Sequence, residues 1–399
     1  MPKSSVLMVS PIDISSSILG PLRHEKEFAS ILSAYTTTYL IVGITFTRFL
    51  SRSTFVHKVL GPVTQNLRVI VLPLVCVKYV VVLARVVFSL VSAFILVVCH
   101  RGLGIKMVIS RTSSVSAIMS LVTHLVGLPI TYRAINIPFS AEEAATFDLP
   151  DPVKSVVRTL FDVFDLVALR TANRILVPSP NGAELIATRL SVERERILCV
   201  RFPIPDFFYD QMRRKEDIAS NFDHKAGLIY CGSFYEFYNF EALLGAIGRL
   251  NREGYKVTLN MYGDGPIRGR VLDQVLELGL QRDVVIHEPV SREKVPEVYR
   301  SGTAAVVPYS RNYQRGLPLK SVEAMALGVP LIVSKQSDPL YVDGQNCIVV
   351  GGDDAEAWAI AIRKVTDPDV RRKVVMGGIE AAKPYRQSVV AGILRSIIP

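Results

Sequence analysis

Short apolar runs rich in Val, Ile and Leu recur along this chain and alternate with longer amphipathic stretches. In the first half, Val6–Ser10, Thr38–Gly43, Arg68–Pro73, Lys106–Ser110, Ile130–Arg133, Arg174–Pro178 and Ile197–Val200 read as strands. Residues 21–33, 76–99, 114–126, 151–172 and 181–190 read as helices between them. Near-continuous apolar strands separated by helices predict a parallel sheet covered on both faces. Residues 201–225 break the rhythm with Pro203, Pro205, the triplet Phe207-Phe208-Tyr209 and the charged run Arg213–Asp217, and they predict a linker. The alternation then restarts, with strands at Gly227–Cys231, Lys256–Tyr262, Val284–His287, Ala304–Pro308, Leu331–Val333 and Cys347–Val350. Helices are predicted at 238–252, 268–280, 292–300, 319–327, 354–365 and 368–380. The pattern predicts an α/β protein of two doubly wound domains, residues 1–203 and 204–383. A helix within 384–399 is expected to return to the first domain. In such folds a ligand lies at the carboxyl ends of the strands, here expected between the two halves.

Charge changes this picture for the first domain alone. Residues 1–141 hold 13 Lys and Arg against three acids, Asp13, Glu25 and Glu27, whereas the remaining 258 residues hold 33 of each sign. The whole net charge of +10 therefore sits on the N-terminal third. That predicts an anionic partner: lipid head groups, nucleic acid or a phosphorylated substrate. Val86–Cys99 is a run of 14 residues without a charge, short of the roughly 20 that span a bilayer. Three readings stand: a buried helix, an interfacial helix flanked by Arg85, His100 and Arg101, and a membrane span reaching back to Tyr79. Val6–Ser10 is too short for a secretory signal. The five cysteines are scattered and none forms a CxxC pair, which predicts a reduced, cytoplasmic setting without disulfides or structural zinc. The six histidines show no paired metal spacing.

The densest chemical signal is Arg315-Gly-Leu-Pro-Leu-Lys-Ser-Val-Glu-Ala-Met-Ala-Leu-Gly-Val-Pro-Leu-Ile-Val333. Pro318 suits the first turn of a helix, Gly328 and Pro330 stop it, and Leu331–Val333 follows as a buried strand. Lys320 and Glu323 thus fall on the first turns of a helix, where backbone N–H groups favour an anion. This stretch resembles the nucleotide-sugar signature of GT-B fold glycosyltransferases, in particular family 4. Gly227–Ser233, Met261-Tyr-Gly-Asp-Gly-Pro266 and Tyr299–Pro308 resemble other segments of that family, in its order and spacing.

The resemblance implies two Rossmann-like domains in a GT-B architecture, and transfer of a sugar from a UDP- or GDP-linked donor with retention at the anomeric carbon. It implies no cofactor and no metal, and the chain lacks a DxD pattern outside the late Asp367-Pro-Asp369. The donor-binding positions it implies are Gly20, Gly232, Ser233, Gly265, Gly316, Leu319, Lys320 and Glu323, with Glu323 on the ribose; His287, which ends a strand, reads either as lining the base pocket or as a structural histidine. Arg133, at the end of its strand, reads either as a catalytic residue beside the sugar or as an ordinary structural arginine. Arg23 and His24 are placed on the acceptor side.

Two departures matter. Family members carry two glutamates with seven residues between them, and here Arg315 stands in place of the first. Ser233 and Tyr238 occupy positions where the family places Arg and Lys. Arg315 and Lys320 then read either as solvated charges or as relocated diphosphate clamps that would serve catalysis. The resemblance implies a glycan or polyprenyl-linked acceptor and no nucleic acid; together with the basic first third and Val86–Cys99, it predicts a protein peripheral on the inner face of a membrane. A catalytically inactive scaffold of the same fold and a sugar-nucleotide epimerase are the alternatives.

Overall fold

The computed structural model describes residues 4–13, 19–45, 65–74, 81–135, 151–212, 225–310, 317–335 and 338–398. The chain divides into two units, residues 1–203 with 388–399, and residues 204–387. The first unit runs β1 (Ser5–Asp13), α1 (Leu19–Ser33), β2 (Thr37–Thr45), β3 (Leu67–Leu74), α2 (Val81–Cys99), β4 (Ile105–Arg111), α3 (Ser113–Leu125), β5 (Ile130–Arg133), α4 (Asp151–Thr171), β6 (Arg174–Val177), α5 (Pro180–Leu190) and β7 (Ile197–Cys199). Its strands lie in the order β3-β2-β1-β4-β5-β6-β7, with every adjacent pair parallel. Successive side chains of a strand point to opposite faces. Leu7 and Val9 therefore meet Phe88, Leu96, Val115, Met119 and Leu169 on one side of β1. Val6 and Met8 meet Phe28 and Leu32 on the other. Both faces are covered, which is why β1 reads as an unbroken apolar run.

The second unit runs α6 (Asp206–Asp210), β8 (Lys225–Cys231), α7 (Phe240–Arg252), β9 (Lys256–Tyr262), α8 (Arg268–Glu277), β10 (Val284–His287), α9 (Val295–Ser301), β11 (Ala304–Val307), α10 (Leu319–Ala326), β12 (Leu331–Ser334), β13 (Ile348–Val350), α11 (Ala355–Thr366) and α12 (Pro368–Ala382). Its strand order is β10-β9-β8-β11-β12-β13, again all parallel. Short polar side chains start three of its helices: Asn239 accepts from the Ala242 N–H at α7, Asp354 from the Ala357 N–H at α11, and Asp367 from the Asp369 N–H at α12. The last helix, α13 (Gln387–Arg395), puts Val390 and Leu394 into the first unit's core beside Phe28 and Leu32.

The expected linker needs a correction. Residues 206–210 of that stretch form α6, Phe208 is fully buried in the second unit's core, and Tyr209 Oη donates to the Ala382 carbonyl at 2.7 Å. Three consecutive aromatics carry too much apolar area to stay solvated. Arg213–Asp217 lie outside the described residues. Among the described residues, no helix is long and apolar enough to cross a membrane, which removes the spanning reading of 79–99 for the part described.

Candidate functional site

In the second sheet β8 is flanked by β9 on one side and β11 on the other, so the chain's winding reverses between β8 and β11. Loops leaving those two strands diverge and open a crevice at their carboxyl ends. The loop after β8 begins at Gly232, whose N–H donates to the Tyr262 carbonyl at 2.9 Å. Lys320, second residue of α10, lies directly across it: a Cβ on Gly232 would come within 2.2 Å of Lys320 Nζ. Close approach is also why position 263 is glycine, since a Cβ there would meet the Gly232 carbonyl oxygen at 1.8 Å.

Lys320 is held by tyrosines. Its Nζ donates to Tyr238 Oη at 2.8 Å and to Tyr230 Oη at 3.2 Å. The same ammonium lies 4.5 Å from the Tyr238 ring centroid and 4.4 Å from that of Tyr230, within cation–π range. Tyr238 donates in turn to Tyr309 Oη at 3.3 Å, and Tyr230 to the Ser233 carbonyl. Tyr238 is one of the positions where the resemblance expects a cation. Here that position cradles a cation reaching in from α10. An ammonium has three donors. The tyrosines take two, and the third has no partner among the described residues. Burial pushes the Tyr238 hydroxyl's pKa up, but the charge and hydrogen bond of Lys320 prevail and hold it below the ordinary tyrosine value. Tyr230, buried beside Tyr238, is pushed well above it.

Glu323 lies one turn further along α10 and is only 7% exposed. The carboxylate partner that sequence reasoning reserved for a ligand is, in part, Arg292: its Nη1 donates to Glu323 Oε1 at 2.6 Å. Arg292 opens the short helical turn 292–294 after β10, and its guanidinium lies 5.1 Å from the Phe208 ring centroid. Among the described residues, Glu323 Oε2 takes no hydrogen bond. The sequence signal for Arg292 was indirect: a buried carboxylate demands a cation, and Arg292 follows a strand whose carboxyl end lies on the same side of the sheet.

His287 ends β10 with Nε2 2.8 Å from Asn260 Oδ1 and its ring stacked on Tyr262 at 4.3 Å, so one ring nitrogen and the ring face are engaged within the unit. Gly265 packs on the backbone of Phe234, Ser233 is exposed, and Leu319 opens α10. Arg315 and Gly316 lie outside the described residues. No group of three His, Cys, Asp or Glu side chains among the described residues is arranged to hold a metal ion.

In the first unit the winding reverses between β1 and β4. Arg133 ends β5, but its guanidinium is engaged within the unit. Nη1 lies 2.8 Å from Glu25 Oε1 and 2.9 Å from Oε2, and the guanidinium carbon is 3.6 Å from the Phe28 ring centroid. Arg111, last residue of β4, donates to the same Glu25 Oε1 at 3.0 Å. Burial holds the Arg133 pKa below its ordinary value, and the Glu25 carboxylate opposes that shift. Glu25 was legible only as a rarity, one of three acids in the first 141 residues. Arg133, expected beside a sugar, thus braces α1 against β4 and β5. Gly20 is placed in the first turn of α1 rather than in a loop. Arg23 and His24 belong to the same helix, with side chains outside the described ones. Thr112, between β4 and α3, adopts φ 68° and ψ 145°, which is strained for a β-branched residue.

Residues 225–367 match the family model described as glycosyl transferases group 1. D-inositol 3-phosphate glycosyltransferase of Acidothermus cellulolyticus is 27% identical over 121 residues, 30% of this chain and 26% of its own length. EpsF of Bacillus subtilis, named as a glycosyltransferase, is 32% identical over 179 residues, 43% of this chain and 44% of its own. The chain thus spans between a quarter and under half of the length of these curated relatives. The crystal structure of Alr3699/HepE of Anabaena in complex with UDP is similar at a TM-score of 0.66 and 14% identity, over 99% of this chain and 98% of that one. With the two parallel sheets, this likeness shows the two-domain α/β GT-B fold.

Proposed function

We propose that this chain, whose residues 225–367 match the model of the group 1 glycosyltransferases, moves a sugar from a nucleoside diphosphate sugar to an acceptor hydroxyl. The observation that carries the proposal is Lys320. It stands on the first turn of α10, over the glycine that follows β8, with one ammonium donor unpartnered among the described residues. As the bond to the sugar breaks, negative charge grows on the departing diphosphate. An ammonium and a helix N-terminus fixed beside it stabilise that charge without moving. Glu323 Oε2 then accepts from a ribose hydroxyl, its partner Oε1 being held by Arg292. Ser233 and Leu319 supply backbone N–H groups to the phosphates, Gly232 lacks the Cβ that would displace the Lys320 ammonium, and Gly265 and His287 border the base. UDP is the first nucleotide to try, because Alr3699/HepE binds it, and GDP the second.

Charge stabilisation by Lys320 and α10 supports a reaction that needs no metal, and the proposal extends to retention at the anomeric carbon. The acceptor class that suits the basic first unit is a glycan or polyprenyl carrier with a phosphate.

A panel of nucleoside diphosphates scored by thermal unfolding tests the reading. A ligand at about a hundred times its Kd adds roughly 2.7 kcal/mol to the native state, a readily seen shift. UDP or GDP is expected to raise the melting temperature, and free nucleotide is expected from the donor sugar only when acceptor is present. Indifference to every nucleotide would overturn the transferase reading and leave a non-catalytic scaffold.

A further inference from the structure

The outer face of the first unit carries apolar side chains that the core does not use. On α2, Val87, Leu90, Val91, Phe94, Val97 and Val98 are exposed, Phe94 by 68% and Val98 by 62%. They recur every three or four residues, opposite the buried stripe of Phe88, Ser92 and Leu96. α3 packs against both α2 and α4 and ends on Leu125, 83% exposed. α4 adds exposed Val153, Val156, Leu160 and Val163, again along one helical stripe.

Charge selects the occupant. Of the ten Lys and Arg between residues 28 and 141, Arg111 and Arg133 are held inward by Glu25, and Arg85 and Arg101 bound the apolar stretch of α2. Arg158 and Arg170 are exposed on α4. The acids of these three helices are Asp151, Asp162 and Asp165, all on α4, with Asp165 buried. Two copies meeting through this face would bring like charges together. An anionic lipid surface satisfies both properties, since it takes apolar side chains below its head groups and attracts the cations around them. The 14 uncharged residues of α2 are too few to span, so the helix lies along the bilayer.

We propose that the first unit docks on anionic bilayers through the outward faces of α2, α3 and α4. The sugar-transfer reading does not enter this inference, because flotation needs no nucleotide.

The test floats the full chain with vesicles of phosphatidylcholine alone, or with about a third phosphatidylglycerol, at low and high salt. Wild type is expected to float with the anionic vesicles at low salt and to be partly released by salt. Partition onto neutral vesicles is expected to be at least about tenfold weaker. The double variant Phe94→Glu, Val98→Glu is expected to lower partition onto anionic vesicles by about tenfold or more. Both side chains are exposed, so its melting temperature should match wild type. Wild type staying in solution at low salt overturns the proposal, and so does a folded variant that floats as well as wild type. A dimer seen without vesicles and abolished in the variant assigns the face to a second copy instead.

Discussion

Each unit holds a buried carboxylate near the carboxyl ends of its parallel strands, and each carboxylate is gripped by arginine. Glu25 is wholly buried and both its oxygens are taken, Oε1 by Arg111 and Arg133 and Oε2 by Arg133 again. Glu323 keeps 7% of its surface and gives only Oε1 to Arg292. The same pairing therefore does different work. A saturated carboxylate has nothing left for a ligand and serves as a brace. A half-saturated one, fixed in direction by its arginine, can still accept a hydrogen bond from outside.

Four substitutions can break or sharpen that contrast. Glu25→Ala leaves two arginines close together without a countercharge. It should lower the stability of the first unit by about 3–5 kcal/mol, read by urea unfolding. A smaller loss, with donor binding impaired instead, would make Glu25 the ligand-facing group and reverse the comparison. Glu323→Gln keeps its shape and should cost about 1–3 kcal/mol. Its main effect should be a nucleotide affinity lower by about tenfold or more, measured by calorimetry. Wild-type affinity and turnover in that variant would remove Glu323 from the site.

Lys320→Ala should weaken UDP about tenfold more than uridine, because only the former presents phosphates to the missing ammonium. The variant also carries an optical check. Lys320 holds the Tyr238 pKa down, so removing it should move that tyrosine's titration to higher pH in ultraviolet difference spectra. Equal losses for UDP and uridine would show that Lys320 does not read phosphate. The smallest effect is expected at Arg270, whose pair with Glu236 is exposed on both sides. Arg270→Ala should leave unfolding and nucleotide affinity unchanged, as exposed pairs contribute little.

The sequence revealed what is local and concealed what is distant. The helix expected at 319–327 is found at Leu319–Ala326, and the strand at 331–333 extends to Ser334, because proline and glycine fix both boundaries on the spot. At the helix end, Gly328 takes φ 67° and the Val329 N–H bonds the Ala324 carbonyl at 3.0 Å. Lys320 and Glu323 were legible for the same reason, being one turn apart. Their partners were not. Tyr238 and Tyr230 lie 82 and 90 residues from Lys320, and Arg292 lies 31 from Glu323. Glu25 meets Arg111 across 86 residues and Arg133 across 108. No periodicity encodes such pairs, since only the folded sheet brings the ends of different strands together. Phe207–Tyr209 misled in another way: two prolines just before them and a charged run after them signalled a break, while the aromatics carried enough apolar area to form a buried turn of helix.

Every residue from Ser321 to Pro330 is buried, so the helix bearing Lys320 and Glu323 is embedded along nearly its whole length. A close-packed interior transmits strain rather than absorbing it. That leaves little scope for redesigning the site through this helix: turning or sliding it would disturb the core before it altered any recognition. New specificity would have to be written into the surrounding loops, where Ser233 is exposed and substitutions meet solvent instead of packed side chains. The helix is the fixed jig, and its neighbours are the adjustable parts.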